Sequence, residues 1–163
     1  MSEQTSPGRV VSIVYTPRDV STRKPQDHYA RVPCERVQLV EFEGIAGDAK
    51  GGAGERQLNI MAAEALAELQ AEGFKTQPGE LGEQIVVAGV DTSTITVGSR
   101  WRIGSAVVEV TRPRTGCARF EMIQRKPEDS VRGRLGVLAR VVTSGEVAVG
   151  DAVELLSTEK AAG

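Results

Sequence analysis

The chain has one histidine, two cysteines and few aromatic side chains among its 163 residues. Each scarcity removes a class of chemistry. With His28 alone, no histidine-rich metal site can form within one chain, and a Ser–His or Cys–His nucleophile would have to use that residue. Cys34 and Cys117 form no CxxC, which excludes a four-cysteine zinc site and a thioredoxin motif. In a reducing cytosol both are expected as free thiols. Aromatics make up 4% of the chain, too few for the stacked platforms that bind single-stranded nucleic acid. The net charge is −2, so the basic excess of a nucleic-acid or membrane-surface binder is missing too. No apolar run approaches the roughly 20 residues that span a bilayer. Residues 1–9 lack the basic-then-apolar order of a signal peptide. The expectation is a cytoplasmic protein with neither nucleic acid nor membrane as partner.

What is present points to strands. The length suits one domain with a real hydrophobic core. Eighteen glycines are spread along the chain, as in many short strands joined by tight turns. Strands are expected at Val10–Tyr15, at Arg36–Phe42 with Val37, Leu39 and Phe42 apolar, and at Gln57–Met61. Further strands are expected at Gln84–Ala88, Arg100–Ile103, Ala106–Thr111, Gly136–Thr143 and Ala152–Leu156. Gly104-Ser105 is a two-residue hairpin signal. Residues 16–33, which are polar and hold three prolines, read as a long loop, and 44–54 as a glycine-rich one. Ala62, Ala65, Leu66 and Leu69 recur at helical spacing before Gly73, so a helix is expected over Ala62–Glu72. A second short helix is expected at Arg119–Lys126. Thr96-Val97-Gly98-Ser99 and Ala148-Val149-Gly150-Asp151 look like one turn used twice, each before a strand. The fold expected is mostly β: a single closed barrel over residues 9–156 with peripheral helices, and frayed ends at 1–8 and 157–163.

Three clusters carry candidate chemistry. Arg112-Pro113-Arg114-Thr115-Gly116-Cys117-Ala118-Arg119 follows an apolar strand. Arg112 and Arg114 share a face of any continuing strand, and Pro113 and Gly116 are expected to break the ladder and put Cys117 in a turn. Three arginines around one thiol favour the thiolate, which can attack, carry sulfur or bind a soft metal. The structural alternative is a buried small apolar residue near a basic rim. The second cluster, Gly47-Asp48-Ala49-Lys50-Gly51-Gly52, is closed by Arg56-Gln57. Its glycines let backbone N–H groups approach an anion, with Lys50 and Arg56 adding charge, yet it lacks P-loop spacing. The alternative is a surface loop. The third, Pro78-Gly79-Glu80-Leu81-Gly82-Glu83-Gln84, runs into a strand. Glu83 and Gln84 offer acceptor and donor groups to a planar heterocycle, or form an ordinary turn. Cys34 reads as structural and His28 as solvated.

In the order GDAKGG, RQLNIM, PGELGEQIVVAGV, VGSRWRIGSAVVEVTRPRTGC and GVLARVVTSGEVAVGDAVELL, these segments resemble the MOSC domain. That family is named after the C-terminal domain of molybdenum-cofactor sulfurase. The resemblance implies a β-barrel like that of the pyruvate kinase β-barrel domain. It implies the molybdenum cofactor, a pterin dithiolene with a phosphate tail, as ligand. The family's marker cysteine falls at Cys117, which ligates molybdenum in amidoxime-reducing relatives. Arg112, Arg114, Lys50 and Arg56 are then the candidates for the phosphate, and Glu83 or Gln84 for the pterin edge, with Asp48 in the first loop. Three positions depart from the common pattern: Lys50 stands where many members have histidine, Gln84 where many have asparagine, and Gly116 where many have proline.

Three functions follow from the resemblance. One is a redox enzyme that removes oxygen from an N-hydroxylated small-molecule substrate, with a partner reductase supplying electrons. Another is a sulfur or cofactor carrier, holding a persulfide on Cys117 received from a sulfur-donor protein. The last is an interaction barrel with Cys117 inert.

Overall fold

β-branched residues alternating with polar ones shape the strands. In Arg36–Val40, Val37 and Leu39 turn inward while Arg36 and Gln38 stay exposed, the two-residue period of a half-buried strand. The computed structural model describes residues 8–16, 32–48, 57–90, 94–114, 124–125 and 135–157. They form, in chain order, β1 (Gly8–Tyr15), β2 (Val32–Cys34), β3 (Arg36–Val40), β4 (Gly44–Ile45), β5 (Leu58–Ala62), α1 (Ala63–Ala71) and β6 (Ile85–Ala88). Then come β7 (Arg100–Ile103), β8 (Ala106–Pro113), β9 (Val137–Thr143), β10 (Gly145–Ala148) and β11 (Ala152–Ser157).

Seven strands close a ring in the order β11-β7-β8-β9-β5-β6-β1, sealed where β1 returns to β11 through Gly8↔Val153 and Arg9↔Ala152. β2 lies on the outer side of β1, and β10-β3-β4 form a second, three-stranded sheet. Within the ring β5 and β6 run parallel while the other pairs are antiparallel. A parallel pair requires a crossover, and α1 with the segment 72–84 supplies it. Inward side chains of both sheets, among them Val10, Ile13, Leu39, Ile45, Ile60, Ile85, Val108 and Val153, form one core. A smaller core of Met61, Leu69, Phe74, Leu81 and Leu135 lies on the outer side of β5, under the helix.

The expected barrel, helix and most strands are present. Ala62 and Glu72 are the residues flanking α1, and Gly73 follows. Gly104-Ser105 joins Ile103 to Ala106 as a two-residue hairpin. The twice-used turn is real: Ser99 N–H donates to Thr96 O at 2.9 Å and Asp151 N–H to Ala148 O at 3.0 Å. Gly98 and Gly150 take φ of 89° and 95°, as a type II turn requires at its third residue.

Five expectations change. Phe42 is not in a strand. β3 stops at Val40 because the chain reverses to pair Val40 with Gly44, and Phe42 sits at the tip, 74% exposed with φ 66°. Pro33 belongs to β2 rather than to a loop, on an outer strand where a missing N–H does no harm. β10 was not expected, and it forms because Val147 joins the core beside its partner Val37. Pro113 does not break the ladder: it pairs with Val137, and Arg114 N–H still donates to Gly136 O at 3.0 Å. N–H groups alternate sides along a strand, so the N of Pro113 faces away from β9. Gly8 and Ser157, placed in frayed ends by the sequence, are strand residues. The long loop over 17–31 with His28, most of the glycine-rich loop, and all of the Arg119–Lys126 helix but Gln124 and Arg125 lie outside the described residues.

Candidate functional site

Gln84 stands immediately before β6, on the outward parity of that strand, since Ile85 and Val87 point into the core. Its amide is used at both ends. Nε2 donates to Asp48 Oδ2 at 2.5 Å, and Oε1 accepts from Asn59 N–H at 2.9 Å. Asp48 Oδ1 accepts from Thr16 N–H at 3.2 Å. Asp48 and Gln84 are both buried. The second and third sequence clusters thus meet through a buried side-chain hydrogen bond between residues 36 positions apart.

Glu83 turns the other way. Its carboxylate accepts from Gly79 N–H at 2.8 Å and from Leu81 N–H at 3.2 Å, and it is fully buried. It folds the 79–84 turn around itself. Neither Glu83 nor Gln84 is held at the surface as a heterocycle's partner would be; both brace the turn from inside. Arg114, from the first sequence cluster, donates from Nη1 to Leu81 O of that same turn. Gln124 clamps the turn from another side. Its Oε1 accepts from Lys75 N–H at 2.8 Å, and its Nε2 donates to Lys75 O at 2.9 Å and Glu80 O at 3.1 Å.

The three clusters separated in sequence are therefore joined at one turn. From it the chain leaves Asp48 toward Lys50 and Arg56, and leaves Arg114 toward Cys117. Lys50, Arg56 and Cys117 themselves lie outside the described residues. Arg112 is exposed on β8 and paired with Leu138 of β9, which pairs in turn with Asn59 of β5. Paired positions share a face of the sheet, so Arg112 and Asn59 lie on the same outer face.

Asn59 and Gln124 were not singled out by the sequence reading. Asn59 offers a sequence signal: a polar residue inside the otherwise apolar LNIMA strand. Its Nδ2 donates to Gly82 O at 3.1 Å, while its Oδ1 is buried without a hydrogen bond from any of the described residues. Gln124 has no such signal, since its role depends on a turn 44 residues away.

Among the described residues, the barrel interior offers little room for a ligand. Its cavity measures about 20 Å³ and is lined by Ile60, Val87, Trp101, Ile103, Val108 and Val110, among others. That is room for about one water, with no polar partner to hold it. Any sizeable ligand has to sit outside the wall. Among the described residues no three His, Cys, Asp or Glu side chains gather as metal ligands. No helix among them is long and apolar enough to cross a membrane.

Comparison with known proteins agrees with this architecture. Solved structures of YuaD from Bacillus subtilis and YiiM from Geobacillus stearothermophilus superpose with TM-scores of 0.71 and 0.70. The first is 20% identical, over 91% of this chain and 94% of its own; the second is 19% identical, over 93% and 76%. At those identities the likeness establishes the fold. YflK of Bacillus subtilis, an uncharacterized protein, is 31% identical over 96 residues, or 53% of this chain. This chain spans 42% of the length of that relative. The MOSC domain model matches residues 46–154. That match covers most of the barrel and both ends of the hydrogen-bonded meeting point, and on it the chain belongs to the MOSC-domain family.

Proposed function

We propose that this chain binds the molybdenum cofactor on the outer face of the barrel wall, beside the turn that joins Asp48, Gln84 and Arg114. The observation that carries this reading is the hydrogen-bonded convergence of three sequence clusters on that turn. The residues there suit the group. Arg112 and Arg114 bring guanidinium groups, which recognise phosphate with paired donors. Asn59 Oδ1 is a buried acceptor without a hydrogen bond among the described residues, of the kind an N–H of a bound ligand satisfies.

Each residue has a part in this reading. Arg112 and Arg114, with Lys50 and Arg56 from the adjoining loop, hold the phosphate. Asp48, Glu83 and Gln84 fix the turn on which the ligand rests. Cys117, three residues beyond Arg114, supplies a thiolate to the metal, kept deprotonated by the cationic side chains beside it in sequence. When bound, the cofactor would supply the two-electron chemistry that removes oxygen from N-hydroxylated substrates. Electrons for that chemistry would be supplied by a partner reductase.

The test is to purify the wild-type chain and Cys117→Ser from a host that makes the cofactor. Molybdenum is measured by mass spectrometry and pterin by fluorescence after oxidation. Stoichiometric molybdenum and pterin in the wild type, with molybdenum lost in Cys117→Ser, is the expected result. Neither metal nor pterin in the wild type would overturn the proposal. A cyanide-releasable sulfur on Cys117 in that case would establish the carrier reading instead.

A further inference from the structure

Asn59 is 8% exposed, and its carboxamide is satisfied on one side only. The orientation of the amide is fixed by its neighbours. Nδ2 donates to Gly82 O at 3.1 Å, and turning the group over would set two oxygens against each other. Oδ1 is left as a buried acceptor with no donor among the described residues. Buried acceptors of this kind are rare in native proteins, and each calls for an enclosed water or a ligand.

Its surroundings decide between the two. The Asn59 backbone N–H is bound by Gln84, and Gln84 by Asp48. Two strand spacings away on the same outer face, at about 10 Å, stands the exposed Arg112. A fixed acceptor and an exposed cation on strands whose backbones lie about 10 Å apart suit a flat ring with amine donors at one end and an anionic arm at the other.

We infer that Asn59 Oδ1 is a ligand-reading acceptor that takes an N–H from the exocyclic amine of a pterin ring whose phosphate lies toward Arg112. The inference rests on the proposed cofactor site and adds to it a residue that selects the ring. Of the donors on a pterin, the exocyclic amine projects furthest from the ring edge, so it is the one able to reach a recessed oxygen. A lumazine carries a carbonyl at that place. It would set oxygen against oxygen and leave Oδ1 unsatisfied, which penalises binding.

The experiment measures binding of hydroxymethylpterin monophosphate and hydroxymethyllumazine monophosphate to the full chain by fluorescence and calorimetry. The wild type is expected to prefer the pterin by about tenfold or more. Asn59→Leu is expected to bind the two alike, with a melting curve that confirms folding. Should that variant not fold, Asn59→Thr, whose β-branched side chain suits a strand, takes its place. Equal binding of both compounds by the wild type means that Oδ1 holds only an enclosed water, and overturns the inference while leaving the cofactor site standing. A preference that survives in the Asn59 variant overturns it as well. Failure of the wild type to bind either compound overturns both the inference and the cofactor site.

Discussion

Two groups stand out among the buried polar side chains of the described residues. Glu109 belongs to the first. It is buried on β8, and Arg100 of β7 and Arg140 of β9 close on it with N–O distances of 3.0 Å each. The ladder registers Arg100, Glu109 and Arg140 side by side, so one carboxylate ties three strands. Glu83, Gln84 and Asp48 form the second group, at the candidate site. Cys34 is a third kind of case, a half-buried thiol on β2. Burial pushes its pKa up, while a backbone hydrogen bond from Arg36 acts the opposite way. A thiol whose folded pKa is raised holds its proton longer in the native state than in the unfolded one. Its effect on stability is therefore constant below the unfolded thiol value, near 8.5, and unfavourable as pH climbs from there to the folded value. Urea midpoints of wild type and Cys34→Ala are expected to run parallel from pH 6 to 8 and to converge or cross toward pH 10, with the wild type losing more. A constant difference across that range would contradict the assignment.

At the scale of elements, the site depends on how β8, β9 and the crossover after β5 come together. Gly136 opens β9 with φ 81°, packed against β5. A Cβ there would collide with Ile60 O and the Met61 side chain. No larger residue can keep both that backbone shape and that approach. Gly136→Ala is expected to cost about 2–4 kcal/mol, from strain and from displacement of β5. Chemical denaturation measures it. Since Gly136 O also accepts from Arg114 N–H, the same substitution is expected to weaken cofactor retention. Elements are also where sequence reading succeeds and fails most visibly. β7 and the Gly104-Ser105 hairpin were legible because their residues alternate and their turn is local. β10 was not, because Gly145–Ala148 resembles a turn until Val37 is placed beside Val147. Phe42 was misread because apolar character alone does not show where a chain must reverse.

At the scale of the whole molecule, closure of the ring is the decisive feature. β1 and β11 are the first and last strands, and they seal the barrel through two residue pairs, supported by Val10 N–H to Asp151 O at 2.9 Å and Gly150 N–H to Val10 O at 2.8 Å. The family match begins at residue 46 and so omits β1, β2, β3 and β4. A fragment of residues 46–154 would expose the edges of β6 and β11 and unroof core residues such as Ile85 and Val153. It is expected not to fold cooperatively. Loss of the near-ultraviolet signal of Trp101 and of amide dispersion in NMR would show this, and a sharp melting transition in the fragment would refute it.

Local chemistry was enough for the sequence by itself to determine the β-rich class, the helix, the turns and the cationic run before Cys117. Alternation, glycine and charge act on near neighbours, and near neighbours are what a sequence displays. It took the folded arrangement to turn Glu83 and Gln84 inward, to bring Arg114 to Leu81, and to leave Asn59 Oδ1 without a donor among the described residues. Those contacts join residues 2 to 36 positions apart through strand register and ring closure. Register is set by the burial of the whole core at once, so no single segment carries it.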